Sequence, residues 1–136
     1  MKQEYIIGDV VMYDNKVMIV KEPRDGIHFD LSCPEEGLVY CFVGVENIKP
    51  VSLTSDILEK NRWEEDTDYI ESWRLDEVFT GGDIDDDECY TCFELYHEYD
   101  GWDFYQRGEI LKEGIKYVHQ LQHLFFGLSI NHEMEV

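Results

Sequence analysis

The chain has 136 residues, of which 43% are hydrophobic and 31% are charged, and its formal net charge is −20. This apolar content is enough to build a core, which argues against a globally disordered chain. The negative charge repels nucleic-acid phosphates and anionic membrane surfaces, so we expect no direct nucleic-acid binding. Such a surface suits a basic protein partner, or it serves solvation alone.

The first residues, "MKQEYIIGDVV", contain no apolar signal core, and no stretch reaches the roughly 18 apolar residues of a membrane helix. We therefore expect a cytoplasmic protein that does not enter a membrane. In that compartment the cysteines are expected to be reduced and partly buried thiols. There are four of them: Cys33, Cys41, Cys89 and Cys92.

The N-terminal residues 1–50 predict a small β-barrel of SH3-like type. Apolar runs such as "VVMY" and "KVMIV" are separated by turn signals at Asp14-Asn15 and at residues 23–26. "IHFDL" and "GLVYCFVGV" continue the series, and we expect five short strands in all.

A short helix is predicted over residues 53–63, "LTSDILEKNRW". Thr54 is the expected N-cap, and Leu53 and Leu58 occupy the two positions of a hydrophobic staple. Asn61 is expected to end the helix in a left-handed backbone conformation.

A further strand is predicted at residues 69–79 and is followed by an acidic loop and a β-hairpin that turns at Asp100-Gly101. The first hairpin strand alternates, so Phe93 and Leu95 face one side. The opposite side carries Glu94, Tyr96 and Glu98. The second hairpin strand is expected to run through "WDFYQRGEI".

The predicted fold class is therefore α+β, with an SH3-like β-barrel region followed by a short helix, a β-hairpin and a C-terminal helix. The barrel region, residues 1–50, and the helix–hairpin–helix part, residues 51–136, are expected to share one compact domain. Large aromatics are mostly buried in small domains, so the tryptophans are expected in the core rather than in an exposed patch. These are Trp63, Trp73 and Trp102.

The terminal segment, residues 117–128, reads "YVHQLQHLFFGL" and predicts an amphipathic helix. Its apolar face comprises Val118, Leu121, Phe125 and Leu128. His119 and His123 lie on a neighbouring stripe. We interpret both as surface or half-buried histidines hydrogen-bonded to neighbours, so replacing His123 by Ala is expected to be nearly silent.

Two histidines at this spacing can hold zinc, and "HQLQH" superficially resembles the HExxH string of zinc proteases. The protease mechanism needs a Glu after the first histidine as general base. Gln120 stands there, and an amide cannot accept a proton at neutral pH. A non-catalytic zinc, with His132 as a third ligand, is the alternative that stays open.

A calcium loop is the second metal hypothesis, on residues 83–94, "DIDDDECYTCFE". Positions 1, 3, 5 and 12 of the EF-hand spacing hold Asp83, Asp85, Asp87 and Glu94. Position 6 needs Gly for a sharp turn but is Glu88, and the flanks predict loop and strand rather than two helices. We favour a solvated acidic loop, no metal site and no other cofactor, with a looser divalent-cation loop as the alternative.

Three segments of the chain, in order, resemble a family of small uncharacterised proteins from gut bacteria and from their phages and mobile elements. They are "YIIGDVVMYDNKVMIV", "ENIKPVSLTSDILEKNRW" and "IKYVHQLQHLFFGL", and "YVHQLQ" is the most specific part. The middle helix and the acidic loop 83–88 depart from the family pattern. The resemblance implies a single α+β unit and a bacterial or phage cytoplasmic origin, and it assigns no activity to the chain. It also implies that "VHQLQ" matters for the shared fold or site, and for Gln120 and Gln122 we expect hydrogen bonds that close off strand ends.

The sequence contains no phosphate-binding glycine loop and no serine in a nucleophile-elbow context. We therefore expect a non-enzymatic accessory protein that binds another protein. The candidate interaction residues are Asp85, Asp86, Asp87, Glu88, His119, Gln120 and Gln122. The alternatives are an acidic mimic of nucleic acid that blocks a basic site, and a divalent-metal-binding module. Mimicry predicts a continuous acidic stripe along the loop 83–88 and the hairpin.

Overall fold

A computed structural model describes residues 5–66, 72–79, 90–128 and 130–136. Within these ranges every strand pairing is antiparallel and two α-helices occur, which confirms the predicted α+β class. The elements in chain order are β1 Val10–Tyr13, β2 Lys16–Pro23, β3 His28–Cys33, β4 Leu38–Gly44, β5 Lys49–Pro50, α1 Ser55–Lys60, β6 Glu64–Glu65, β7 Ser72–Phe79, β8 Tyr90–Glu98, β9 Gly101–Gln106, β10 Glu109–Ile115 and α2 Val118–Gly127.

Backbone contacts group the chain into two compact units, each discontinuous in sequence. Unit 1 comprises Met1–Ser52, Tyr117–Leu124 and His132–Val136. Unit 2 comprises Leu53–Lys116 and Phe125–Asn131. The first segment of unit 1 ends close to the predicted boundary at residue 50, whereas α2 contributes residues to both units.

Unit 1 contains a five-stranded sheet with the order β4-β3-β2-β1-β5. The predicted turn between β1 and β2 is confirmed, with φ of 52° at Asp14 and 60° at Asn15, values that Asp and Asn adopt more readily than most residues. The predicted closed SH3-like barrel is wrong, because the sheet of the described residues is open, with β4 and β5 at its edges. β5 has two residues, and Pro50 carries no N–H, so this strand offers little edge for closure.

Strand alternation in unit 1 turns one set of apolar side chains into a shared core. Val11, Met18 and Leu31 are completely buried. They cluster with Tyr5, Val20, Phe29, Cys33, Val43 and Ile48. Removal of this apolar surface from water is the main stabilising contribution to the unit.

Helix α1 begins as predicted, because the N–H of Ile57 donates to the Thr54 side-chain hydroxyl at 3.3 Å. Leu53 and Leu58, at the two staple positions, are both buried. The helix ends at Asn61 as predicted, but the left-handed conformation predicted for Asn61 is wrong. Asn61 keeps a φ of −101°, and Arg62 takes the left-handed conformation with φ 70°.

Unit 2 contains a second five-stranded sheet with the order β10-β9-β8-β7-β6. The predicted hairpin is confirmed, with β8 and β9 paired from Phe93↔Gln106 to Glu98↔Gly101, but its turn is Tyr99-Asp100 and Gly101 already belongs to β9. The predicted second strand is too long, since the chain turns at Arg107 and Gly108 and returns as β10. Both residues have positive φ, 50° and 83°, as a type I′ hairpin turn requires.

The core of unit 2 is aromatic. The ring centroid of Phe93 lies 4.9 Å from that of Phe104 and 5.7 Å from that of Phe125, within the range of favourable aromatic pairs. The prediction that the tryptophans belong to the core is confirmed, since all three are buried: Trp63, Trp73 and Trp102.

Helix α2 covers most of the predicted segment and buries the predicted apolar face, since Val118, Leu121 and Phe125 are buried. Neither helix in the described ranges combines the length and the apolar character that a bilayer-spanning helix needs.

Candidate functional site

The acidic loop predicted to bind a cation or a partner lies outside the described residues. This applies to Asp83, Asp85, Asp86, Asp87 and Glu88. The fourth proposed calcium ligand, Glu94, lies on β8, where its carboxylate accepts a hydrogen bond from the Tyr96 hydroxyl at 2.5 Å. Among the described residues, no three His, Cys, Asp or Glu side chains converge as metal ligands.

Gln122 connects helix α2 to two backbone segments of unit 1, one at Gly8 and Val10 and the other at His132. It is completely buried, and its Oε1 accepts from the N–H of Val10 at 2.9 Å. Its Nε2 donates to the carbonyls of Gly8 and His132, each at 2.8 Å. The prediction that Gln122 hydrogen-bonds a strand end is confirmed, because Val10 is the first residue of β1.

Gln120 acts on its own helix instead. Its Oε1 accepts from the backbone N–H of Tyr117 at 3.1 Å. Tyr117 immediately precedes α2, so this bond has the form of the Gln half of a capping box. Gln120 therefore stabilises the start of α2, and this contact is not the predicted bond to a strand end.

The carboxylate of Asp9 is completely buried in unit 1. Its Oδ2 accepts from the N–H of Ile6 at 2.8 Å and lies 2.6 Å from Nε2 of His123. Removal of His123 would leave this buried carboxylate with one of those two partners, which is costly in a protein interior. The expectation of a silent His123 substitution is therefore corrected: this histidine, whose side chain is 33% exposed, holds a buried acid.

His119 is also buried, contrary to the expectation of a surface or half-buried position. Its ring centroid lies 5.1 Å from that of Tyr5 and 5.4 Å from that of His123. Three buried polar atoms in this region have no hydrogen-bond partner: the Tyr5 hydroxyl, Oδ1 of Asp9 and Nδ1 of His119. No sequence pattern indicates this cluster, because Asp9 and His123 are 114 positions apart.

Burial shifts the titration of two of these side chains. It lowers the pKa of His119 to about 4, against an opposing effect of the Asp9 carboxylate. It raises the pKa of Tyr5 to about 12, and the Asp9 carboxylate adds to the increase. At neutral pH both side chains are therefore uncharged, and Asp9 and His123 are the groups of this cluster that can form an ion pair.

We expect His119 to make unit 1 less stable as the pH falls from about 6.5 to about 4. In that window the unfolded chain binds a proton at His119 and the folded chain does not, so protonation favours unfolding. The difference in pKa corresponds to about 3 kcal/mol. NMR titration of the imidazole should show His119 titrating near pH 4. The stability gap between the native protein and His119→Phe, which cannot titrate, should change across the same window; a His119 signal that titrates near 6.5 would contradict this.

The zinc alternative finds no support in the positions of its three histidines. Nε2 of His123 contacts Asp9, and Nε2 of His132 lies 2.9 Å from the carbonyl oxygen of Ile7. Of the described cysteines, Cys33 is buried and Cys92 half-buried, as expected, but Cys41 is exposed.

A second feature of unit 1 is the exposed apolar surface of β4, the edge strand next to β3. We call it the β4 face. Its members are Leu38 (53% exposed), Val39 (46%), Phe42 (59%) and the exposed thiol Cys41. The sequence showed this run as a strand but not as an edge, because an uncharged apolar run is also typical of a buried strand.

Phe42 is held in an unusual conformation on this face. Its φ is 54°, which is uncommon for a bulky residue, and the ladder to β3 is irregular on either side of it. Its N–H donates at 3.0 Å to Oδ1 of Asp30, a buried carboxylate that also accepts from Arg24. The Arg24 hydrogen bond, with that of Phe42, holds the pKa of Asp30 below its usual value.

The Arg24 guanidinium also lies over the Phe42 ring, 5.4 Å from its centroid. A half-buried ion pair and a cation–π contact thus fix an aromatic side chain in solvent. Backbone strain retained at an exposed aromatic residue is more typical of binding surfaces than of structural positions. Comparisons with protein-family models, with curated proteins and with solved structures give no match for this chain.

Proposed function

We propose that this protein is a non-enzymatic binding module that captures an extended segment of a partner protein along β4. The observation that carries the proposal is the β4 face, in which an edge strand exposes Leu38, Val39 and Phe42 on either side of the half-buried Tyr40. The resemblance noted in the sequence is in keeping with a bacterial or phage accessory protein that acts in the cytoplasm.

The physical basis is the chemistry of sheet edges. An edge strand presents backbone N–H and C=O groups that can pair with another strand, and proteins usually protect such edges with charged residues or proline. Residues 37–44, "GLVYCFVG", contain neither. Strand addition would bury Leu38 and Val39, and Phe42 would serve as the aromatic anchor beyond the paired segment.

The partner segment should be extended, with alternating apolar side chains, and should carry basic residues at its ends. Exposed acids flank β4 on both sides, Glu35 before it and Glu46 after it. The net charge of −20 would speed the approach of such a segment and disfavour acidic competitors. This chemistry agrees with the basic protein partner expected from the composition.

Nucleic-acid mimicry is the second candidate function. Glu94 and Glu98 lie on the outward side of β8, opposite the buried Phe93 and Leu95, as the alternation predicts. Asp103 pairs with Tyr96 on the neighbouring strand. Tyr96 and Tyr105 stand among these acids, with ring centroids 5.1 Å apart, so aromatic side chains interrupt the acidic stripe that mimicry predicts. The divalent-cation alternative depends on the loop 83–88.

The proposal predicts that Val39→Lys abolishes partner capture. A photocrosslinker attached to the exposed thiol of Cys41, with Cys89 and Cys92 replaced by Ser, should form a defined adduct in lysate of the source cells. Lysine at position 39 places a charge in the paired strand, and we expect at least a tenfold loss of adduct, or about 1.4 kcal/mol.

The matched control is Leu111→Lys on β10, an exposed apolar position in the other unit, which should leave the adduct unchanged. Equal yields from the native protein and Val39→Lys would reject binding along β4. Mimicry makes a different prediction: exclusion of the partner by DNA and a steep loss of binding with salt, both unaffected by Val39→Lys.

A further inference from the structure

Unit 2 contains a groove of about 410 Å³ that is separate from the β4 face. Its floor comes from two cross-strand pairs of the sheet, Glu65↔Trp73 and His97↔Trp102. Residues Leu53 to Ser55, at the start of α1, line the rest. The volume lies within the range of sites that take a small molecule or one long side chain.

The aromatic wall of this groove is held in place by its own contacts. The His97 ring stacks on Trp102 with centroids 4.4 Å apart and an angle of 19° between the planes. The indole N–H of Trp102 donates to the carbonyl of Leu53 at 3.1 Å. That bond satisfies the only donor of the indole, and both tryptophans are buried, so the exposed imidazole of His97 is the aromatic surface that the groove offers a ligand.

In the described part of the chain, the groove lining contains one carboxylate, that of Glu65. Glu65 is exposed and belongs to the acidic sequence Glu64-Glu65-Asp66. Thr54 and Ser55 supply hydroxyl oxygens that can accept hydrogen bonds. No Lys or Arg lines this groove among the described residues.

We propose that this groove binds the side chain of an arginine presented by a basic protein. A guanidinium is flat and weakly hydrated, so it can stack on the exposed imidazole ring of His97 and present paired N–H donors to the Glu65 carboxylate. An anion would be repelled by Glu65, and a neutral apolar group would leave the carboxylate without a partner. A lysine ammonium is compact and strongly hydrated, and it cannot make the stacked and bidentate contacts together.

This inference does not rest on strand pairing at β4, because the groove lies in unit 2 and the β4 face in unit 1. It does specify the chemistry of the partner. The composition indicated a basic partner in general, and the groove assigns one kind of basic side chain to one set of residues.

The test is an NMR titration of the ¹⁵N-labelled full chain with N-acetyl-arginine amide. N-acetyl-citrulline amide is the matched control ligand, since it has nearly the same shape and no charge. We expect saturable shifts of the Trp73 and Trp102 indole signals and of the Thr54 and Ser55 amides. The arginine probe should bind at least tenfold more tightly than the citrulline probe, as a charge-assisted pair requires.

Two variants distinguish specific arginine binding in this groove from general electrostatic attraction of a cation to an acidic protein. Glu65→Gln should weaken arginine binding about tenfold, and Glu109→Gln, which removes an exposed acid on β10, should change it less than twofold. Equal affinities for arginine and citrulline, or an unchanged affinity in Glu65→Gln, would overturn the proposal. Equal binding of N-acetyl-lysine amide would overturn the assignment to arginine. Val39→Lys should leave the titration unchanged, so failure here and failure of strand pairing at β4 are distinguishable.

Discussion

Replacing Gln122 by Met is expected to lower the free energy of unfolding of unit 1 by about 3 to 5 kcal/mol. Met has a similar volume, so the loss would report on hydrogen bonds and not on a cavity. The substitution leaves the Val10 N–H and the carbonyls of Gly8 and His132 without their Gln122 partner. Buried backbone groups that lose a partner each cost about 1 to 3 kcal/mol, and partial relaxation reduces the sum.

The matched control for this prediction is Gln120→Met, the same exchange two residues earlier on α2. It removes the bond to the Tyr117 N–H, and we expect a loss of about 0.5 to 1.5 kcal/mol. Urea denaturation followed by far-UV circular dichroism measures both, and hydrogen exchange of the β1 and β2 amides assigns the loss to unit 1. Equal losses from the two variants would show that Gln122 does not organise the segments it contacts.

Leu121→Ala is expected to cost about 2 to 5 kcal/mol, which is a large part of the stability of a small domain. Leu121 is completely buried, so truncation loses transfer free energy and leaves a cavity. Leu111→Ala on β10 is the matched control, since Leu111 is 41% exposed and its truncation should cost less than about 1 kcal/mol. A loss at Leu121 no greater than that at Leu111 would contradict the orientation of α2.

The free energy of unfolding of His123→Ala tests a polar contact and not apolar packing. His123 contributes little apolar burial, and its loss would act through the carboxylate of Asp9. Asp9→Asn should therefore reduce the effect of removing His123, whereas it should leave the Leu121→Ala loss nearly unchanged. Such non-additivity is expected for residues in direct contact and not for separate sites.

The local elements of this protein follow from the sequence because their causes are local. Asp14 and Asn15 tolerate the positive φ that a two-residue hairpin needs, and Thr54 supplies the oxygen that begins α1. Apolar residues that recur every 3.6 positions identified the buried face of α2. Apolar residues that recur every two positions identified Phe93 and Leu95 as the buried side of β8. Each of these patterns lies within a single element.

The tertiary structure alone decided what these elements do. Whether the sheet of unit 1 closes depends on the pairing of its edge strands, and whether "GLVYCFVG" is core or surface depends on its place in the strand order. The hydrophobic periodicity of the sequence predicts neither the closure of the sheet nor the position of this strand in it. Asp9 and His123 come together from positions 114 apart, and Glu65 and Trp102 line one groove from different strands. Sequence patterns report on neighbours along the chain, but burial and partner identity are set by neighbours in space.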